Sequence, residues 1–558
     1  MKIRIDGKEV EGEKGESILR IALRNGIKIP AVCYHSDLEP QSNCRLCLVS
    51  IKGREGIHTS CSVEAEEGME IITNSEEIRK LREINLELLF SQHIEQCGSC
   101  NWKYKCKLLS LAKEYKIKIT RFEDRKKNFP VHHFGPISFD TSKCIDCKNC
   151  VQMCKNQGVC FLTNEIKNDF SQVGFAKRDC VYCGQCITHC PSGALEEIES
   201  ISEVEECLKD KDKYVVFQFA PAIRSAIGEE FGMNYGEILT DKIVSGIKKL
   251  GVKKVFDVSV AADITTIEEG SELIERLESG ENLPMFTSCC PSWVRYVEVY
   301  YPQFIKNLTS VRSPHIILGG LTKTYFAEKE KIDPKKIVVV SIMPCVSKKY
   351  EIGRKELEVE ELKPVDYVLT TREIAKMFKK NNIDLNKINS ENLDSPWDDY
   401  TGAGVIYGST GGVMESALRT VYEKLTGKKL EDINLKEVRG DDGFKEAEIN
   451  IGGRIVKVAI INGLGNAKKM LEGDFKKYDY VEVMSCPGGC VGGGGQPIPV
   501  DREIRKKRAD SLYEIDNSKE IRLAHESPVV KLIYKDFLKD KKIIHNICHT
   551  KYEPNNRN

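Results

Sequence analysis

Twenty-three cysteines in one chain constrain this sequence more than any other feature. The number is odd, and the N-terminus, MKIRIDGKEVEGEKGES, is charged from its second residue and lacks the apolar core of a secretion signal. A disulfide framework is therefore not expected. Most of the thiols fall between Cys33 and Cys190 in tight groups, and grouped, reduced thiols are metal ligands by default. Lys plus Arg equals Asp plus Glu at 84 each, so no global field draws nucleic acid or an anionic membrane. No stretch approaches the roughly 20 uninterrupted apolar residues of a membrane helix. The sequence reads as cytoplasmic, with neither nucleic acid nor membrane as partner.

A chain of 558 residues, 41% hydrophobic and 30% charged, is an ordinary globular composition too long for one core. Four domains are expected, at 1–78, 79–125, 126–208 and 209–558. The first opens with the strand KIRI, a DGK turn, a second strand and the helix ESILRIALRNG, ended by Gly26. That order suggests a small β-rich, ubiquitin-like module. The 79–125 domain reads as helical (EEIRKLREINLELLFSQHIEQC), and a basic stretch, EDRKKNFPVHH, then reads as a linker. The 126–208 domain holds two dense cysteine runs. From about 212, the apolar strands KYVVFQFAP, VKKVFDVS, KKIVVVSIMPC, VDYVLTT, IVKVAIINGLG and YVEVMSC alternate with helical segments such as ADITTIEEGSELIERLES and TGGVMESALRTVYEKL. That alternation implies α/β architecture with mostly parallel sheet.

Cys144, Cys147, Cys150 and Cys154 form C-x2-C-x2-C-x3-C, and Cys180, Cys183, Cys186 and Cys190 repeat it before Pro191. This is the bacterial ferredoxin pattern, in which the last cysteine of each run serves the other run's cubane. Cys144, Cys147, Cys150 and Cys190 would hold one [4Fe–4S] cluster; Cys180, Cys183, Cys186 and Cys154 would hold the other. Cys33, Cys44, Cys47 and Cys61 offer four thiolates on the β-rich module, which suits a [2Fe–2S] cluster, with structural zinc as the alternative. His93, Cys97, Cys100 and Cys106 fit a Cys3His zinc site equally well. Their place between two iron–sulfur modules favours a third [4Fe–4S] cluster, whose imidazole ligand should raise its potential. Four clusters make sense together if electrons must cross protein to a buried site.

Three later segments, TSCCPSW (287–293), MPCVSKKYE (343–351) and VMSCPGGCVGGGGQP (483–497), supply Cys290, Cys345, Cys486 and Cys490, enough for one further cubane. The glycine runs 488–489 and 492–495 would let backbone approach an inorganic body; they lack the Lys-Ser/Thr of a phosphate loop. With everything upstream, these segments resemble the iron-only ([FeFe]) hydrogenases of anaerobic bacteria in their single-chain form with four accessory clusters, over nearly the whole length.

The resemblance implies an H-cluster: a cubane joined through Cys490 to a two-iron subsite carrying CO, cyanide and an amine-containing dithiolate. It implies reversible reduction of protons to H2, with electrons from ferredoxin or a similar small carrier and with maturation proteins supplying the two-iron subsite. Lys348 would donate to one cyanide, Ala220 and Pro221 would face the other, and Met343 and Met484 would lie nearby. Cys289 matches the proton shuttle, with Glu269, Glu272 and Arg276 beyond it. In a helix these three share a face, although composition alone would make them a solvated stripe. Thr309 stands where a serine is usual, Ala222 where a serine often lies, and His315 where a glutamine often lines the distal pocket.

Cys160, Cys207 and Cys548 read as buried free thiols, and REIRKKR (502–508) as a solvated face that could instead dock an acidic ferredoxin. STGGVMES should begin a helix whose free N–H groups turn toward the active-site side. Up to about residue 200 the module order also resembles the large iron–sulfur subunit of respiratory complex I, which lacks the three later segments. Two alternatives retain them: the hydrogen-handling subunit of an NADH-linked, electron-bifurcating complex, and a non-catalytic or sensory relative.

Overall fold

The computed structural model describes residues 1–94, 97, 98, 100, 102, 105–124, 129–167 and 170–554. Glu95 and Gln96, at the end of the expected helix of the 79–125 domain, and 125–128 of the expected linker lie outside the described residues. The chain forms two compact units, one of residues 1–155, 160–178 and 189–196, the other of 156–159, 179–188 and 197–558.

In the first unit β1 (Lys2–Ile5) and β2 (Lys8–Glu11) form a hairpin. The helix Ile18–Arg24 starts at Ser17, whose hydroxyl accepts from the Arg20 N–H. With β3 (Leu48–Ile51), β4 (Ile57–Thr59) and β5 (Glu70–Ile72), the strands form one sheet in the order β2-β1-β5-β3-β4. Ile3, Ile5 and Val10 alternate inward against Ile18, Leu19 and Ile21. Helices Glu76–Ser91 and Lys107–Glu114 follow.

Part of the expected linker is a strand. β6 (Val131–Phe134) pairs antiparallel with β7 (Ile137–Asp140). VHHF carries too little apolar alternation to announce itself, and the basic residues before it mask it further. Nothing in the sequence pattern pointed to the hairpin β8 (Leu162–Lys167) and β9 (Phe170–Phe175) between the two cysteine runs. β10 (Leu195–Glu197) joins β7 to make a three-stranded sheet.

In the second unit β11 (Tyr214–Phe219), β12 (Lys254–Asp257), β13 (Met285–Phe286), β14 (Ile337–Met343), β15 (Tyr367–Thr370), β16 (Phe444–Ile451), β17 (Arg454–Asn462) and β18 (Tyr480–Met484) build two sheets. One, β12-β11-β14-β15, is wholly parallel. Every residue of β14 is buried, as expected for a parallel strand covered on both faces. The other, β13-β18-β17-β16, is parallel except for the β16–β17 hairpin, which turns at Gly452 and Gly453, both at positive φ. Helix Ile201–Lys209, ahead of the expected boundary at 208, falls in this unit.

The parallel arrangement matters because loops following parallel strands gather at one edge, where open α/β sheets place their sites. The three cysteine segments follow β13, β14 and β18, and Ala220 follows β11. Among the described residues no helix is long and apolar enough to cross a membrane.

Candidate active site

Cys290, Cys345, Cys486 and Cys490 line one cavity. Around the same cavity stand Ala220, Pro221, Ala222, Cys289, His315, Met343, Lys348 and Met484. Every cofactor-facing residue named from the sequence therefore reaches one place. The walls are almost wholly apolar, as is usual where a protein holds a small ligand or cofactor.

The rest of the TSCCPSW segment holds it in position. The Thr287 hydroxyl accepts from the Val483 N–H at 3.1 Å, Trp293 Nε1 donates to Thr287 O at 3.0 Å, and Pro291 begins the helix Pro291–Tyr300. Cys290 Sγ lies 3.1 Å from Ser485 Oγ, so the segments after β13 and β18 touch at Cys290.

Burial pushes three of the four thiols away from the thiolate form. Cys345 is pushed up to about 12, by burial first and Cys290 next. Cys486 and Cys490 are also pushed up, by burial first and then by Cys345 and Cys290. A group of mutually close, desolvated thiols is unfavourable as bare anions and favourable once a metal replaces the protons. The donor set and the apolar cavity fit a cubane.

The glycine run does something other than expected. A Cβ on Gly493 would meet Pro344 O at 2.1 Å, and one on Gly494 would meet Cys183 O and Gly184 Cα at 2.7 Å. Of that run and the preceding glycine pair, Gly489 and Gly493 line the cavity, so the run serves mainly to let backbone segments cross. Gln185 Nε2 donates to Gly492 O at 2.9 Å, and Cys183 contributes to raising Cys486. The loop bearing Cys180, Cys183 and Cys186 is thereby fastened to the loop bearing Cys490.

REIRKKR is not simply a solvated face. Arg505 and Arg508 are buried, and Arg508 donates to Val491 O, to Pro497 O and to Glu229. It braces the loop after Cys490, a role that no spacing in the sequence announced. Nor are all three unassigned thiols buried: Cys548 is, while Cys160 and Cys207 are half-buried.

Lys348 Nζ donates to Cys289 O at 3.1 Å and to Glu351 Oε2 at 2.7 Å. Glu351 was missed, although it ends the quoted MPCVSKKYE segment three residues after Lys348. His315 Nε2 lies 2.6 Å from the same carboxylate oxygen and Nδ1 lies 3.2 Å from Ser341 Oγ. Burial, then the neighbouring Lys348 cation, pushes His315 down to about 4, so the ring is neutral near pH 7. Burial alone would raise Glu351, but Lys348 and His315 hold it at about 2.

Burial first and Glu269 next push the Cys289 thiol well up. Glu269, Glu272 and Arg276 share the helix Ser259–Ser279. Glu269 accepts from the Tyr480 hydroxyl at 2.7 Å and is pushed up to about 8, chiefly by burial, with Glu272 and Glu482 adding to it. Glu272 Oε2 accepts from the Thr309 hydroxyl at 2.8 Å, and Arg276 donates to the other oxygen. Thr309 Oγ1 also accepts from the Val311 N–H at 3.3 Å, so the departure from serine keeps a hydroxyl pinned in place. Among the described residues no direct hydrogen bond joins Glu269 to Cys289 or to Thr309.

The N-terminus of the helix Gly412–Thr426 is not open. Gly411 and Met414 N–H donate to the two oxygens of Glu482 at 2.7 Å each. A glutamate inside an apolar strand, YVEVM, carries no motif, and the sequence offered no signal for it or for Tyr480.

In the first unit Cys33 and Cys44 lie within electrostatic reach of one another, as do Cys47 and Cys61, and Cys44 acts on both Cys47 and Cys61. Cys97, Cys100 and Cys106 lie within electrostatic reach of one another, and Cys97 Sγ contacts His93 O at 3.4 Å. Cys147 feels Cys190 and Cys144. One apolar cluster contains Cys33, Cys44 and Cys147, with Cys97 and Cys106 against it.

Residues 213–494 match the family model for the iron-only hydrogenase large subunit, C-terminal domain. Residues 1–76 match a 2Fe-2S iron-sulfur cluster binding domain, 143–194 a 4Fe-4S dicluster domain and 502–555 the iron hydrogenase small subunit. Iron hydrogenase 1 of Clostridium pasteurianum is 38% identical over 99% of both chains. The NADP-reducing hydrogenase subunit HndD of Solidesulfovibrio fructosivorans is 39% identical over 99% of this chain and 98% of its own. The apo form of the [FeFe]-hydrogenase HydA1 of Chlamydomonas reinhardtii superposes with a TM-score of 0.58 at 37% identity, covering 64% of this chain and 100% of its own.

A redox enzyme with iron–sulfur modules and a cysteine-lined cavity is what the fold and the site define. The chain belongs to the iron-only hydrogenase family.

Proposed function

We propose that this hydrogenase interconverts protons and H2 at an H-cluster held by Cys290, Cys345, Cys486 and Cys490, with Cys490 linking the two-iron subsite. The observation that carries the reading is the convergence of those four cysteines, Cys289, Lys348 and the two methionines on a single apolar cavity. When bound, the cluster supplies the open metal position and the basic amine at which H2 is split or formed.

The chain's residues do the remainder. Lys348, fixed by Glu351, would present a buried cation to one cyanide, and the backbone at Ala220 and Pro221 would face the other. Neutral His315 occupies the distal wall. Cys289 stays protonated near neutral pH and would hold its proton at the cavity wall for the cluster's base; Glu269, Thr309, Glu272 and Arg276 continue the route outward.

The relay comprises a [2Fe–2S] cluster on Cys33, Cys44, Cys47 and Cys61 in a β-grasp, ferredoxin-like domain, and three [4Fe–4S] clusters. These use His93, Cys97, Cys100 and Cys106; Cys144, Cys147, Cys150 and Cys190; and Cys180, Cys183, Cys186 and Cys154. Shared burial of Cys33, Cys44, Cys97, Cys106 and Cys147 supports close succession of the first three. The domain limits 1–78, 79–125, 126–208 and 209–558 follow these cofactors. A cytoplasmic place, ferredoxin as donor and maturation proteins complete the reading.

Identity to HndD over 99% of the chain favours a second reading, in which the chain is the hydrogen-handling subunit of a nicotinamide-linked complex. Infrared spectra of maturated full-length protein, followed by H2 assays with reduced ferredoxin and separately with NADH, test both. CO and cyanide bands with ferredoxin-driven H2 evolution support the first reading. Activity only with NADH and added subunits supports the second, and the absence of those bands overturns the H-cluster assignment.

A further inference from the structure

We propose that His549 is a proton-carrying residue of this enzyme, linking the half-buried Glu268 to Glu272 through the Ser310 hydroxyl. This role rests on the proton route proposed above and adds a second mouth to it.

Thr309 and Ser310 are neighbours, and both hydroxyls donate to the same oxygen, Glu272 Oε2, at 2.8 Å each. Ser310 Oγ also lies 2.8 Å from His549 Nδ1, and His549 Nε2 lies 3.1 Å from Glu268 Oε2. Glu268 accepts in turn from the Tyr534 hydroxyl. An unbroken line of hydrogen bonds therefore runs from Glu272 to Glu268, two acids on one helix whose direct neighbours differ. The His549 and Glu268 side chains are 16% and 13% exposed, so this end of the line meets solvent.

The C-terminal segment is docked as if to present that ring. Thr550 N–H donates to Ser310 O at 2.8 Å, Arg312 Nε donates to His549 O at 2.7 Å, and Val311 and His549 form a β-bridge. Donor counting sets the direction. Because the Ser310 hydroxyl hydrogen is directed to Glu272, its lone pair faces Nδ1, which then carries a hydrogen.

Delivery toward Glu272 begins when a solvent proton, taken up through Glu268, reaches Nε2 of the ring, and Nδ1–H passes to Ser310 Oγ. The former Ser310 hydroxyl proton goes to Glu272 Oε2. One proton has entered through Glu268 and one has reached Glu272, with Ser310 neutral throughout. The ring keeps its Nε2 hydrogen and resets by exchange with water at its exposed edge. Imidazole suits such a step because its two nitrogens can accept and donate in turn near neutral pH.

The test uses full-length, H-cluster-loaded enzyme, with H2 evolution driven by reduced methyl viologen so that electron supply is unchanged, in H2O and D2O. Intact infrared bands certify each variant. His549→Ala and His549→Gln are both expected to turn over about 10-fold more slowly with a larger solvent isotope effect, less than a full general acid–base loss because Arg276 offers another exit. Added imidazole should recover His549→Ala. Glutamine can keep hydrogen bonds to Ser310 and Glu268 but cannot relay a proton, so a wild-type rate in His549→Gln overturns the proposal. A wild-type rate in His549→Ala, or a loss that imidazole does not relieve, overturns it too. His545→Ala, on the exposed ring stacked against His549 at 5.7 Å, should be unchanged. Glu272→Gln separates the two claims: wild-type turnover there would sink the proton route itself, whereas impaired turnover there with normal His549 variants sinks only this branch.

Discussion

Cys289 and Cys290 are adjacent in sequence and are proposed to have opposite tasks. Cys290 is one of four thiols brought together across two sheets, while Cys289 faces the same cavity beside the carboxyl group of Glu269, which helps push its thiol well up. A thiol held in its neutral form can donate a proton to a nearby base, and alanine cannot. Cys289→Ala should leave all cluster signals intact and lower H2 turnover by at least about 100-fold, measured by electron paramagnetic resonance and gas chromatography on the same sample. On the proposed proton route, Glu269 is the group that would set the response to pH. Its pKa of about 8 leaves it protonated below that pH and ionised above. H2 evolution at fixed driving potential should therefore fall as pH rises through about 8, and Glu269→Gln should remove that limb of the profile while lowering the plateau. The cysteines were legible because metal ligation imposes spacing. Glu351, Tyr480 and Glu482 were not, because each is a single polar residue whose partners become visible only in the folded chain.

At the scale of elements, apolar β-branched runs declared the parallel strands, and the alternation with helices declared the α/β class. What escaped were features whose order comes from partners: the hairpin of β8 and β9, the strand β6, and the seating of the expected helix Gly412–Thr426 on Glu482. Burial raises Glu482 from its usual 4.5 to about 7, against the opposing pull of three backbone N–H groups. Between those two values the folded protein binds the proton that the unfolded chain has lost, so stability falls as pH rises through that window. The loss is about 3 kcal/mol in total, from about 1.4 kcal/mol per pH unit. Glu482→Gln should flatten that part of the dependence, seen as a smaller change in apparent melting temperature of the second unit between pH 5 and pH 7. Gly494 sits where two loops cross. Its Cβ would lie 2.7 Å from backbone of Cys183 and Gly184, and backbone yields less readily than a side-chain tip. Gly494→Ala should displace the Cys180–Cys186 loop and lower bound iron by about one cubane per chain, as read by iron analysis. Unchanged iron content would mean that the loop is not held by this crossing.

Across the whole molecule, function depends on electrons reaching the cavity as fast as protons do. The sequence showed four ligand groups in order but not their spatial succession, which depends on packing between segments. Cys33, Cys44, Cys147, Cys97 and Cys106 enter one apolar cluster because Leu86, Phe90, Leu108 and Leu111 gather there from two helices. Low dielectric around a cluster and the charge of its ligands together set its potential. His93 is therefore the most informative single ligand: it is neutral where every other proposed ligand is anionic. His93→Cys adds one negative charge to that cluster and should shift its midpoint potential downward, as followed in a redox titration. Oxidised ferredoxin should then be reduced at an altered rate from H2, while the CO and cyanide infrared bands of the catalytic site stay where they were. A shift confined to one cluster with the bands unmoved would place His93 on the relay and off the catalytic centre. An unchanged potential would remove it from the ligand set and leave the Cys97, Cys100 and Cys106 group needing a different fourth donor.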